Sequence, residues 1–126
     1  MNTFTPEERR RIFRPLMHGF KTASAAETGE RWAWLEAAHV VGQHDFTLHW
    51  VSHTAMLRFA LYNGDPREAA GQLLRLTLVP LGHLLQRLPA GNSGRATVSA
   101  FAPMPVDERL RQLIWQASTS TPPSSF

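Results

Sequence analysis

Six residues in the middle of the chain, Asn63-Gly64-Asp65-Pro66-Arg67-Glu68, constrain the fold more than any other stretch. Gly64 supplies the left-handed residue that closes one helix, and Asp65 caps the next. Pro66 takes the first helical position, and Glu68 is placed to reach back to the cap's own backbone N–H. A helical hairpin is the arrangement that uses all of these signals at once. The flanks agree. Asp45 is set to cap a helix that extends to about Tyr62, with His49, His53, Met56 and Ala60 on one stripe and Trp50, Leu57 and Leu61 on the adjoining one. Beyond Pro66, residues Ala69, Ala70, Leu73, Leu74 and Leu76 are expected to face partners, until Pro80 bends or restarts the helix towards Leu88.

The N-terminal half has the same grammar. Thr5 is a cap, with Pro6 in the first position and Glu8 closing a capping box. Pro15 and Gly19 weaken the middle of this helix, and Gly29 is expected to end it. A second helix follows over 30–41, with Trp32, Leu35 and His39 on one side and Gly42 as its stop. Gly29 and Gly64 lie 35 residues apart, close to the roughly 34-residue period of tetratricopeptide repeats. From 89 to 105 the composition turns to Gly, Pro, Ser and Ala, a loop entered through Gly91-Asn92-Ser93-Gly94. A short last helix over 106–117 offers Leu110, Leu113 and Ile114 to the core, and 118–126 is a frayed polar tail. The fold expected is all-α, two stacked antiparallel helical hairpins of tetratricopeptide-like form plus a long loop and a short C-terminal helix. Residues 1–117 form one domain and 118–126 a disordered tail.

Composition excludes several classes of function. With 126 residues, 43% hydrophobic and 18% charged, the chain can bury a core without staples. Cysteine is absent, so disulfides, thiolate metal sites and cysteine nucleophiles drop out, and any metal must be held by nitrogen and oxygen. The net charge of +3 rests on twelve arginines and a single lysine, Lys21. The only run, Arg9 to Arg11, fans around more than half a helical turn and makes no stripe for phosphates, so no nucleic acid is expected as a partner. The apolar stretch 73–85 is broken by Arg75, Thr77, Pro80, Gly82 and His83, and the first residues carry acids where an export signal needs bases. No membrane association and a cytoplasmic location are expected.

Among the six histidines, His39, His49 and His53 lie within fifteen residues. Two imidazoles four apart on a helix share a face and reach one ion, which is the relation of His49 to His53. On the preceding helix Glu36 and His39 form Glu-x-x-His, and the short turn at Gln43 and His44 brings the end of that helix beside the start of the next. Glu36, His39, His49 and His53 together are a nitrogen and oxygen ligand set suited to zinc, iron, nickel or copper. Glu68 is a candidate fifth ligand in competition with its capping role. If the histidines ligate, binding should weaken as pH falls through about 6.5. The plain alternative is a buried hydrogen-bond network with no ion. A ferritin-like di-iron centre does not fit, because it needs a second Glu-x-x-His and two more carboxylates. Ser52 and His53, adjacent on a helix, point apart and are no catalytic pair. No catalytic residue emerges. Trp32, Trp34, Trp50 and Trp115 are expected to pack, and His18, His44 and His83 have no evident partner. The 91–94 turn is a surface turn, or else an anion nest or a lid.

The segment 34–43, with Leu35-Glu36-Ala37-Ala38-His39 running on to Gly42-Gln43, resembles the Leu-Glu-x-Ala-His-x-x-Gly-Gln signature of a family of small bacterial proteins known only as a domain of unknown function. His49 to Leu57 resembles its His-x-x-x-His-x-x-Met-Leu block, Glu68 to Arg75 its Glu-x-x-Gly-Gln-x-x-Arg block, and Pro89 to Ser93 its Pro-x-Gly-Asn-Thr-Gly loop. Met104-Pro105 fits as well, so that the likeness covers roughly residues 10–115. This chain departs from the pattern with Ser93 in place of threonine and Arg95 in place of a second glycine. The resemblance implies metal handling or resistance rather than catalysis, and it adds Gln43, Gln72, Arg75 and Asn92 as binding residues beside Glu36, His39, His49 and His53. Polar groups kept at helix interfaces need partners, which a shared ion or ligand would supply. Three readings stand, in this order: a cytoplasmic metal-binding helical protein; a non-enzymatic tetratricopeptide-like module that binds a protein partner and whose histidines and glutamines are structural; and, last, an enzyme that uses the same cluster with an open coordination position.

Overall fold

A computed structural model describes residues 4–85, 93–97 and 105–120. They form five helices, α1 (Pro6–Thr22), α2 (Thr28–Gly42), α3 (Phe46–Tyr62), α4 (Pro66–Leu85) and α5 (Glu108–Ser120), and no strand occurs among the described residues. The capping box of α1 is complete: Thr5 Oγ1 accepts from the Glu8 N–H at 3.1 Å, and the Glu8 carboxylate accepts from the Thr5 N–H at 2.8 Å. Asp45 caps α3 by accepting from the Leu48 N–H at 3.0 Å. At the central turn Gly64 takes φ +67°, and the Asp65 N–H returns to Ala60 O at 2.9 Å, so Asn63 to Asp65 close α3 and open α4 as the sequence indicates.

The roles expected of Gly29 and of residue 118 as boundaries fail. Helix α1 ends at Thr22 through the Ala23 N–H to Gly19 O bond, and Gly29 lies inside the first turn of α2, so it terminates nothing. The Gly29 to Gly64 spacing therefore joins unlike positions. Helix α4 continues through Pro80 to Leu85 as one element, so of the bend or restart expected at the proline the restart does not occur. The C-terminal helix also runs to Ser120, past the expected start of a tail at 118, while 121–126 lie outside the described residues.

Helix α2 is the shared wall of two interiors. Against α1 and α5 it sets Ala33, Ala37, Ala38, Val40 and Val41, which meet Ile12, Phe13, Leu16, Leu110, Leu113 and Ile114 in a wholly apolar cluster. Against α3 and α4 it sets Trp32 and Leu35, which meet Met56, Phe59, Ala60 and Ala69. The inward stripe of α4 is Glu68, Ala69, Gln72, Arg75 and Val79, largely polar. Leu73 and Leu74, expected to face partners, are each 55% exposed. Periodicity places them one position off the buried stripe, and the buried positions went to residues that hydrogen-bond rather than to the most apolar ones.

Candidate metal centre

The turn from Gly42 to Asp45 makes α2 and α3 neighbours, and His39 near the end of α2 meets His49 and His53 on the first two turns of α3. Ring centroids are 5.0 Å apart for His39 and His49, 4.7 Å for His39 and His53, and 4.9 Å for His49 and His53. One ring nitrogen from each lies within 4.8 Å of the other two, and the residues are 2%, 6% and 2% exposed. His49 Nε2 and His53 Nε2 are 3.2 Å apart. Two ligands of a tetrahedral ion at roughly 2.05 Å stand about 3.3 Å apart, so this pair already has the spacing of a chelate.

The surrounding bonds fix which nitrogen carries hydrogen. The Gln72 amide donates from Nε2 to Glu68 Oε2 at 2.8 Å and to Gly94 O at 2.9 Å, which leaves its Oε1 to accept from His53 Nδ1 at 2.7 Å. With hydrogen on Nδ1, a neutral His53 turns a bare Nε2 towards His49. A donor on the far nitrogen and a lone pair aimed inward is the arrangement that metal-ligating histidines adopt. On the other side, His49 Nδ1 lies 2.9 Å from His83 Nε2.

Electrostatics keep His49 and His53 neutral. Burial, aided by the neighbouring His53, His83 and His44, pushes the His49 imidazole down to about 3. Burial also lowers His53 to about 4, against the opposing bond from Gln72. Both rings are therefore deprotonated and available as ligands well below the pH at which a free histidine would charge.

Residues 93–97 cover this cluster. Gly94 adopts φ +86°, and a Cβ there would stand 2.8 Å from His39 Cγ, so only glycine lets the chain lie against that ring. Gly71 makes room in the same way on α4, where an added Cβ would come within 2.2 Å of the Ala96 Cβ. The Glu68 carboxylate anchors the segment by accepting from the Ala96 N–H and from Arg95 Nε, both at 2.8 Å. Burial would raise this carboxyl, but its bonds to Ala96, Gln72 and Arg95 outweigh that and hold it below the ordinary range. The Arg95 guanidinium lies 3.7 Å over the Trp32 ring and 3.5 Å from Glu36 Oε1. For Glu36 burial is the larger effect, and its carboxyl stays above the usual value despite Arg95.

The structure thus brings His39, His49 and His53 together and places Glu36 in an ion pair with Arg95, outside the three-nitrogen group. Asp65 caps α4 by accepting from the Glu68 N–H, but Glu68 does not complete the capping box, because the Asp65 N–H goes to Ala60 O, and it has no free oxygen for an ion, because its carboxylate is filled by the 93–97 segment. Gln72 is the tautomer-setting partner of His53. Gln43 is buried at the C-cap of α2. Arg75 is buried, donates to Gly71 O at 3.4 Å, and acts on His53 as a nearby positive charge. Asn92 lies outside the described residues. His83 is the partner that sequence reasoning missed. It follows Glu68, Gln72, Arg75 and Val79 at helical spacing, and that stripe is the signal that would have found it.

Neither the curated proteins nor the solved structures contain a match to this chain. One family model, described as protein of unknown function DUF3703, matches residues 7–114. This span includes all five helices up to Ile114, the three histidines and the segment that covers them, and the chain belongs to that family.

Proposed function

We propose that this protein binds one first-row transition metal ion through His39, His49 and His53, and that it serves metal handling or resistance rather than catalysis. The observation that carries this reading is the convergence of three buried imidazoles, with the His49 and His53 nitrogens 3.2 Å apart and the His53 tautomer set by Gln72. Three nitrogen ligands and an open fourth position suit zinc, copper, nickel or iron. The ring of His39 needs to close by at most about 1.5 Å to complete the set. Glu36 contributes through Arg95, which helps to hold the 93–97 segment against His39.

The lowered histidines shift the pH window expected from the sequence. Protons compete for His49 and His53 only as pH approaches about 4, not at 6.5, because burial has already made their charged forms unfavourable. Titration of tag-free protein with zinc or cobalt, followed by metal analysis, tests the reading. One equivalent should bind, and His49→Ala combined with His53→Ala should abolish it. Unchanged affinity in the double variant, or no stoichiometric ion in the parent, would overturn the assignment.

A second reading has its own observation. Helices α3 and α4 leave Leu61, Tyr62, Leu73, Leu74, Leu81 and Leu84 exposed, and no buried side-chain polar atom among the described residues lacks a partner. A cytoplasmic, tetratricopeptide-like module with a structural histidine network would offer such a surface to a protein partner. It predicts a melting temperature indifferent to chelator, which a drop on adding chelator to metal-loaded protein would contradict.

A further inference from the structure

A second concavity lies away from the histidines, where the end of α1 and the start of α2 face the outer side of α3, with a volume of about 790 Å3. That is within the usual range of roughly 300–1,000 Å3 for small-molecule sites. Phe20, Trp50, Phe59 and Tyr62 supply ring surface, and Lys21, Arg31 and Arg58 are its charged residues. No aspartate or glutamate lines it, and no ion pair among the described residues involves any of the three cations.

Arg31 is the built part of this cleft. Its guanidinium lies 4.5 Å from the Phe20 ring centroid and 4.7 Å from that of Phe59, and its Nε donates to Phe20 O at 3.3 Å. Ring faces and a main-chain bond therefore hold the group in one orientation. Among the described residues no acceptor meets its two terminal nitrogens. A guanidinium fixed in this way offers a planar fork that matches a carboxylate, and little side-chain entropy remains to be lost on binding. Lys21 and Arg58 add positive potential that draws an anion in.

We propose that this cleft binds a small aromatic carboxylate, the carboxylate on Arg31 and the ring against Trp50 and Tyr62. The choice of anion follows from the unbalanced cations, and the choice of aromatic body from the ring-lined wall. The assignment is independent of the metal reading, since α3 presents His49 and His53 to one side and Trp50, Thr54 and Arg58 to the cleft.

Calorimetric titration of the full chain with 1-naphthoate, decanoate and 1-naphthylmethylammonium tests it. Naphthoate should bind at one site, decanoate more weakly, and the ammonium compound not measurably. Arg31→Met, which keeps the apolar stem and removes the donors, should weaken naphthoate about tenfold or more. Arg58→Glu, on the exposed rim and so independent of folding, should weaken it several-fold, with the effect shrinking at high salt. Absence of naphthoate binding, equal binding of the ammonium compound, tighter binding of decanoate, or unchanged affinity in both variants would overturn the proposal. A dimer in sedimentation that naphthoate cannot compete with would place a second copy in the cleft and overturn it too.

Discussion

The two interiors that share α2 are built on opposite principles. Between α1, α2 and α5 the buried side chains are hydrocarbon, and shape is their only specification. Between α2, α3 and α4 the same helix meets His49, His53, Glu68, Gln72 and Arg75, all buried, all tied into directional bonds. Burying five such groups costs more than burying leucine unless each is satisfied. Exposed leucines were available on the same helix at Leu73 and Leu74. The polar layer is thus not what gives this fold its stability most economically. On the reading proposed above, its arrangement serves a metal site, with the apolar half as its support.

The largest test of that division is Leu16→Ala, at a fully buried position of the apolar half. It should cost about 2–5 kcal/mol in urea denaturation while leaving zinc affinity of the folded protein unchanged. A parallel fall in affinity would show that the two halves are one cooperative unit.

A pH change separates the halves without mutation. The unfolded histidines titrate near 6.5, whereas folding lowers His53 to about 4 and His49 to about 3. Between these values the unfolded chain binds more protons, so stability is complete above about 6.5 and falls as pH drops below it, by up to about 1.4 kcal/mol per pH unit for each ring. Metal-free protein should lose about 2–3 kcal/mol between roughly pH 7.5 and 5.5, and the double replacement of His49 and His53 by alanine should flatten that dependence. An equal pH slope in the double variant would place the titration elsewhere.

Glu68→Gln addresses the polar layer alone. It removes the negative partner of Arg95 and weakens the anchor of Ala96, for an expected loss of about 1.5–3 kcal/mol. Zinc should also bind more weakly, because the Gly94 segment that packs on His39 loses its hold. Loss of stability with affinity intact would confine Glu68 to the scaffold.

Much of this was legible in the sequence. The caps Thr5, Asp45 and Asp65 and the turn at Gly64 are local chemistry, and they located α1, α3 and α4. His49 and His53 follow from helical spacing, and His39 from the short turn after Gly42. What failed depended on packing between distant segments. Gly29 was misassigned because α1 ends without a glycine. Apolarity alone points Leu73 and Leu74 inward, whereas the buried stripe of α4 is the polar one that leads to His83. The tasks of Glu68 and Arg95 required the fold of 93–97 over α4, which no local pattern encodes. Arg95 bridges Glu36, Glu68 and Trp32.

The most direct measurement is a crystal structure of tag-free protein grown with zinc, with data collected at the metal absorption edge. The account predicts a single anomalous peak bonded at roughly 2.0–2.1 Å to Nε2 of His49, Nε2 of His53 and a ring nitrogen of His39. A peak elsewhere, or none, with the His49 and His53 rings still bonded to each other, would contradict it.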